Sequence, residues 1–403
     1  MNVWIEAPFD SLPVEGYRKQ RYWLMAEAFV AAGHRVVYWT SDFSHATKRA
    51  RKVKGKSEGE GEGNGGGFEL RMVPTRAYGK NVCLERIRSH REYARTWGRM
   101  AEEAVRGGQM VRPDVIIVSA PPVSTGDVAI RLARQWGAKL VVDVQDAWPE
   151  TFYRLLPRGF GWLGGFLFFG MRRAVRRLYR VADLVTGVCD RYETLVKGYG
   201  AKEYYRAYLG IERTADAERS PQDEGTSGAA AAETGLRLAY VGNLGASYEL
   251  KTVVAGVRQL RAELGDCVSL DVAGFGGAVE AEAGVRFHGM LGREALERLL
   301  SACDIGVIPM RTDSFVGIPN KLGEYAAAGL RIVSSLAGET ERLLARYGCG
   351  AAYRWGDVAS FVAAVHTARN CGSSRPLCEA ELDAARIYRR YVERTERICL
   401  NVA

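Results

Sequence analysis

Lys321 and Glu324 stand one helical turn apart, directly after a run rich in glycine and proline from Phe315 to Asn320. Such residues fix unusual or rigid backbone angles, so the run predicts a tight loop. Lys321 to Ala328 is made of good helix formers and stops at Gly329, a residue suited to the left-handed position after a helix end. Ile305 to Pro309 before the loop and Arg331 to Ser335 after the helix read as strands. In a strand, loop, helix, strand unit the loop amides and the positive helix start face a crevice where a phosphate can sit. Lys321 adds a point charge to that phosphate, and Glu324 can accept hydrogen bonds from sugar hydroxyls. The same residues would also suit an ordinary loop and helix with a surface Lys and Glu.

Two further groups could carry chemistry. The strand Lys139 to Val144 is followed by Asp143, Asp146, Trp148 and Glu150 at or beyond its carboxyl end, where parallel sheets collect ligands. Helix capping by Asp146 and Glu150 around Pro149 explains the same residues without a ligand. Residues 151–182 hold seven arginines and no acidic residue, and include the aromatic run FGWLGGFLFFG. Met171, Val175, Leu178 and Ala182 share one helical face there, and Arg172, Arg173, Arg176, Arg177 and Arg180 the other. With Trp162 and Phe166 ahead of them, Arg172, Arg173, Arg176 and Arg177 predict contact with an anionic membrane surface. A core helix whose arginine stems lie along the domain surface is the alternative.

These groups need a frame, and the chain supplies it by alternating strands and helices. Val3 to Ile5, a helix from about Arg18 to Ala32 and Arg35 to Thr40 form the first unit, with apolar Tyr22, Met25, Ala26 and Phe29 at helical spacing. Strands are predicted at 68–73, 115–119, 139–144 and 184–187, with helices at 84–105, 126–136 and 190–198 between or after them. A second alternation starts at Leu236, with helices at 250–264 and 293–302 and strands at 268–273 and 285–288. Helices at 357–369 and 382–399 close the chain. The pattern predicts an α/β protein of two Rossmann-like, doubly wound parallel halves. Two polar stretches interrupt it. Residues 48–67 are glycine-rich and predict a mobile surface insertion, and residues 212–235 predict a linker.

At 403 residues the chain has room for two or three domains, and its apolar fraction of 47% is that of a globular protein. The net charge of +9 suggests an acidic partner: nucleic acid, anionic lipid or a phosphorylated substrate. No nucleic-acid module is recognisable, and none is expected as a partner. The eight cysteines form no CxxC pair and no zinc spacing. Cys189, Cys267 and Cys303 lie in apolar runs and predict buried, reduced thiols, which fits a reducing cytosol. The N-terminal residues lack the features of a signal peptide, and no apolar run reaches the roughly 18–20 residues of a membrane span.

Several pieces in one order resemble the retaining nucleotide-sugar glycosyltransferases of family four: AAGHRVVYWT, RPDVIIVSAPP, ADLVTGVCDRY with YLGIE, LAYVGNL, FHGMLGREALERLLSACDIGVIP and PNKLGEYAAAGLRIVSSLAGE. Tyr78 to His90 (YGKNVCLERIRSH) with VDVQDAWPE is similar to the branch that builds exopolysaccharide and O-antigen repeat units. The resemblance implies the GT-B fold, two Rossmann-like domains facing an interdomain cleft. It implies an acceptor domain over 1–211, a linker over 212–235, a nucleotide-sugar domain over 236–380 and a terminal helix over 381–403 that packs back towards the first domain. It implies sugar transfer from a nucleotide diphosphate to a polyprenyl-diphosphate-linked glycan, with retention of configuration, by an enzyme on the inner face of the cell membrane. No cofactor and no metal are expected.

By that resemblance Glu324 binds ribose hydroxyls, the loop Gly317, Ile318, Pro319 and Asn320 with Lys321 holds the diphosphate, and Leu322 belongs to the same donor site. Gly242 and Gly245 form a glycine loop under the donor, with Asn243, Tyr248 and Gly274 beside it. Asp143 and Asp146 orient the acceptor hydroxyl, backed by Glu15, Gly16 and Arg18. The chain departs from the family in three places. Val316 stands where the first of two glutamates is usual, eight positions before Glu324, and Asn243 and Tyr248 replace two customary basic residues. Lys321 is then left to carry the phosphate charge alone. A sugar-nucleotide epimerase of the same fold is the alternative enzyme; it needs paired acid and base groups near the sugar, which the sequence does not offer.

Overall fold

Six consecutive buried residues from Val115 to Ala120 cannot alternate between core and water, so they require a sheet covered on both faces. The computed structural model describes residues 1–51, 67–81, 83–156, 161–212, 235–245, 248–276, 282–311 and 315–400. Most of the insertion expected at 48–67 and of the linker expected at 212–235 lies outside them. The chain divides into two compact units, Met1–Ala207 with Ala385–Ala403, and Tyr208–Ala384.

The first unit runs β1 (Asn2–Glu6), α1 (Arg21–Ala31), β2 (Arg35–Ser41), the hairpin pair β3 (Phe43–Ser44) and β4 (Arg49–Ala50), and β5 (Glu69–Val73). It continues through α2 (Leu84–Arg106), β6 (Val115–Ala120), α3 (Gly126–Trp136), β7 (Lys139–Val144), α4 (Gly161–Leu167), α5 (Phe169–Val181), β8 (Leu184–Gly187), α6 (Asp190–Gly198) and β9 (Tyr204–Arg206). Seven strands form one parallel sheet in the order β5-β2-β1-β6-β7-β8-β9. The order reverses between β1 and β6, and this switch point opens a crevice beyond their carboxyl ends.

The second unit runs β10 (Arg237–Asn243), α7 (Lys251–Leu264), β11 (Ser269–Phe275), β12 (Val285–Gly289), α8 (Arg293–Ser301), β13 (Ile305–Ile308), α9 (Asn320–Ala328), β14 (Arg331–Ser334), α10 (Glu339–Tyr347), β15 (Gly350–Ala352), α11 (Val358–Arg369) and α12 (Arg375–Leu377). Its six strands are also parallel, ordered β12-β11-β10-β13-β14-β15, with the switch point between β10 and β13. Leu238, Tyr240, Val257, Leu270, Val307 and Phe361 share its core. Last comes α13 (Ala384–Cys399), which belongs to the first unit from Ala385 onward. It starts two residues later than its apolar pattern predicts, because Cys378–Leu382 is a π-helical turn and Asp383 is extended. The eight cysteines are free. Cys189 is buried as expected, but Cys303 is half-buried and Cys267 exposed, since Cys267 sits in the turn between α7 and β11.

Arg21 and Asp143 set the centre of the first unit. Arg21 Nε and Nη2 donate to the two carboxylate oxygens of Asp143 at 2.7 and 2.8 Å, and Nη1 donates to the Ala207 carbonyl at 3.0 Å. Thr186 Oγ1 donates to Asp143 at 2.5 Å, and the rings of Tyr388 and Tyr391 from α13 lie 5.8 and 5.9 Å from the guanidinium. Burial alone would raise the Asp143 carboxyl, but the charge and hydrogen bonds of Arg21 carry it below the usual carboxylate range.

Candidate functional site

Strands β10 and β13 pair only at Leu238 with Ile305 and Ala239 with Gly306, and beyond that point no ladder joins them. The Tyr325 hydroxyl fills the gap, accepting from the Val241 amide at 2.9 Å and donating to the Val307 carbonyl at 3.2 Å. Tyr325 lies on α9, so this bridge fixes the start of α9 against the switch point. The helix opens after Pro319, whose extended backbone places Asn320 and Lys321 in the first turn. Thr340 of α10 donates to the Gly317 carbonyl at 2.7 Å and anchors the preceding loop. Ile318 and Leu322 are buried beneath it, whereas Asn320 is exposed.

Lys321 is the unusual member of this group. Its side chain is only 6% exposed, and its ammonium lies 3.8 Å from the centre of the Tyr248 ring and 5.0 Å from that of Tyr240. The two rings meet edge to face at 6.0 Å and offer their negative faces to the cation. Burial lowers the Lys321 pKa to about 8, with Glu324 pulling the other way. Tyr248, which stands where the resemblance leads one to expect a lysine, therefore positions the lysine that remains. Its own place is set by hydrogen bonding to the Gly245 carbonyl at 3.0 Å and by a bridge to Met310.

Glycine is required beneath this lysine. Gly242 and Gly274 are paired neighbours on β10 and β11 with φ of 124° and 156°. A Cβ on Gly242 would stand 2.5 Å from the Lys321 ammonium, and one on Gly274 would stand 1.8 Å from the Gly242 carbonyl oxygen. Thus Gly242, Gly274, Tyr248, Lys321 and the Gly317–Asn320 loop come together at one switch point. Glu324 lies half-buried one turn along the same helix, and Asn243 is exposed at the end of β10. The arrangement offers helix-start amides and one desolvated ammonium to an anion, at a position where an α/β sheet binds ligands.

The acceptor residues expected in the first unit fare differently. Asp143 is fully buried with both oxygens committed to Arg21 and Thr186, so it cannot face a substrate hydroxyl. Asp146 accepts from the Trp148 indole at 2.9 Å and from the Thr151 hydroxyl at 2.8 Å, which commits both of its oxygens locally; the turn after it is capped by Pro149 without a side-chain hydrogen bond. Glu15 accepts from the Leu12 amide and pairs with Arg51. Gly16 takes a left-handed turn, and Arg18 is exposed. Of the membrane set, Trp162 and Phe166 are 72% and 82% exposed, joined by exposed Leu167 and Phe169. Arg173 and Arg176 are exposed beside them, Arg177 pairs with Asp127, and Arg172 is half-buried against Tyr153. Among the described residues, no helix is long and apolar enough to cross a membrane.

A cluster that residue reading did not assemble lies at the carboxyl ends of the first sheet. Phe9 follows β1, His45 follows the short β3 that comes after β2, Trp148 follows β7, and Tyr78, Arg86 and His90 come from the start of α2 and the loop before it. The Arg86 guanidinium carbon lies 5.5 Å from the Phe9 ring, 5.9 Å from Tyr78 and 5.0 Å from Trp148. The one signal for it in the sequence is the Tyr78 to His90 segment, which carries the branch resemblance.

Residues 19–207 match the glycosyl transferase 4-like domain, and residues 235–370 match the glycosyl transferases group 1. Among solved structures, the chain resembles sucrose-phosphate synthase from Thermosynechococcus elongatus at 15% identity and a TM-score of 0.60, over 99% of this chain and 96% of the other. It resembles HepE of Anabaena in complex with UDP-glucose at 13% identity and 0.61, over 98% of this chain and 99% of the other. WaaG, a glycosyltransferase involved in lipopolysaccharide biosynthesis, is similar at 16% identity and 0.55, over 100% and 98%. At these identities the likeness is one of fold, here that of the GT-B glycosyltransferases. No curated protein matches the chain.

Proposed function

Because its two matched domains place the chain among the glycosyltransferases of the family-four type, we propose that it moves a sugar from a nucleotide diphosphate to a lipid-linked glycan acceptor, with retention of configuration, in building a cell-surface polysaccharide. The observation that carries the donor half is Lys321, a buried ammonium held over Gly242 at the start of α9. The loop Gly317 to Asn320 with Lys321 would hold the diphosphate, and Glu324 the ribose hydroxyls. As the bond from the sugar anomeric carbon to the phosphate oxygen breaks, negative charge grows on the departing diphosphate. Lys321 and the helix-start amides stabilise it there, without need of an added metal. The acceptor oxygen bonds to the anomeric carbon on the same face, and its proton passes to the departing phosphate oxygen. No protein nucleophile is required.

The test is ligand stabilisation. A compound that binds only the folded protein raises its melting temperature, and UDP-glucose, the ligand of the HepE complex, is the first donor to try, followed by GDP- and dTDP-sugars. Phosphate favours the charged lysine, whose ammonium titrates at about 8 in the free protein. Donor affinity should be full below that pH and fall by up to about tenfold per unit above it. A profile flat to pH 9.5 would remove Lys321 from the phosphate site.

Exposed Trp162, Phe166, Leu167 and Phe169 beside Arg173 and Arg176 support peripheral docking on an anionic bilayer, with the enzyme on the cytoplasmic side. Each basic residue near such a surface contributes about 1 kcal/mol. Arg173→Ala with Arg176→Ala should therefore weaken sedimentation with phosphatidylglycerol vesicles roughly thirtyfold. Equal binding to uncharged vesicles, or no loss in the double variant, would rule this docking face out.

A further inference from the structure

We propose that Lys48, Arg86, His45 and His90 form a binding site for the phosphate group of a phosphorylated acceptor, with Trp148, Tyr78 and Phe9 as its walls. The inference rests on the transferase reading and extends it to residues of the first unit.

Arg86 Nε approaches His90 Nε2 at 3.3 Å, and Lys48 Nζ approaches His45 Nδ1 at 3.2 Å. Neither cation has a lone pair, so both imidazole nitrogens must accept; the single lone pair of His45 Nδ1 is shared between Lys48, which also donates to the His45 carbonyl at 2.6 Å, and the Tyr78 hydroxyl. Each ring then carries its proton on the opposite nitrogen, Nδ1 of His90 and Nε2 of His45, and neither of these donors has a partner among the described residues. His90 is buried to within 7% of its surface. The Tyr78 hydroxyl is hydrogen-bonded to His45 Nδ1 and closes that side of the site.

The charge is one-sided. Among the described residues neither Arg86 nor Lys48 has a carboxylate partner. Asp146, whose field reaches Arg86, commits its oxygens to Trp148 and Thr151. Burial, with Lys48 and Arg86 beside it, pushes His45 down to about 4, and burial with Arg86 and His45 pushes His90 to about 3, so both remain neutral donors at pH 7. Two cations and two neutral donors turned toward no carboxylate suit a phosphate's several acceptor oxygens.

Two structural facts point the same way. Lys48 has φ of 59°, and among the described residues it is the one that takes a left-handed backbone without being glycine. Strain of this kind collects at ligand clamps, and here it turns the lysine back so that its ammonium stands 4.9 Å from the Tyr78 ring. The rings of His90 and Trp148 stack at 6.1 Å with 26° between planes, a flat wall suited to a sugar or isoprenoid face. All of these groups lie beyond the carboxyl ends of β1, β2 and β7, where a parallel sheet collects ligands.

The test uses the full chain carrying Lys321→Met, which silences the phosphate charge of the second unit. Titration calorimetry with inorganic pyrophosphate should still show one site, and adding Arg86→Met or Lys48→Met should weaken it at least tenfold. Lys48 lies on a half-exposed hairpin, so its variant reads the site even if Arg86→Met unfolds. Tighter binding of farnesyl diphosphate than of pyrophosphate would assign the site to lipid-linked acceptors, and equal binding to soluble phosphorylated ones. Absence of pyrophosphate binding in the Lys321→Met protein, or binding untouched by both added substitutions, would overturn the inference. Donor stabilisation of the unsubstituted protein reports separately on the transferase reading.

Discussion

Lys321→Met should lower kcat/KM for the nucleotide sugar by about 10²–10³-fold, the loss of one preorganised charge worth about 2.7–4 kcal/mol in the transition state. The fold should not suffer. The lysine is taken from water without an ion-pair partner among the described residues, and its lowered pKa means that burial opposes the charged form. The sign follows directly. That unfavourable contribution is fully present below about pH 8 and is relieved as the pH rises towards the ordinary lysine value of 10.5. A methionine keeps the aliphatic stem under Tyr240 and Tyr248 while removing the charge, so its melting temperature at pH 7 should equal or exceed that of the parent. Initial rates with saturating acceptor, measured beside thermal melts, check both halves. Turnover within about twofold of the parent would end the assignment of Lys321 to the leaving phosphate, as would a kcat/KM loss matched by loss of fold.

Arg21→Ala carries the largest effect on stability. It leaves the Asp143 carboxylate at zero exposure with hydroxyl donors in place of the guanidinium, Thr186 at 2.5 Å foremost, and breaking a buried pair from one side costs about 3–5 kcal/mol. Because Arg21 lowers the Asp143 carboxyl, the pair stabilises the fold above the unfolded carboxyl value of 3.8 and loses that contribution as pH falls through the lower folded value. Without Arg21 the carboxyl must titrate upward, so acid unfolding should begin at a higher pH in the variant. Urea unfolding at pH 7 and acid titration followed by tryptophan fluorescence would show both effects. A loss under about 1 kcal/mol would mean that water reaches the pair.

Runs with one reading were legible in the sequence. Helices 126–136 and 190–198 and strands 139–144 and 184–187 appear at the residues where apolar period and flanking glycine placed them. Strand β15 and helix α10 were not foreseen, since three small residues and a mostly polar nonapeptide, ETERLLARY, carry too little apolar pattern. The donor-side candidates were legible because they lie within one stretch, Gly317 to Glu324, with Gly242 close by in the fold. Asp143 misled for the opposite reason. Its position at a strand end is visible in the sequence, but the guanidinium that claims it comes from 122 residues earlier. Phe9, His45, Arg86 and Trp148 are likewise loop or helix-start residues scattered along the chain, and only the parallel register of β1, β2 and β7 gathers their rings.

Tyr388 and Tyr391 of α13 flank Arg21, so the hydrophobic wall around the first unit's central ion pair is supplied by residues translated after the whole second unit. On the ribosome both partners of the pair, 122 residues apart, precede residues 208–384, so the flank that α13 covers stays open until that unit has been made. The intervening unit holds a full parallel sheet of its own and can consolidate during that interval. The second unit can therefore be complete while the first still lacks α13, the element that closes its central ion pair.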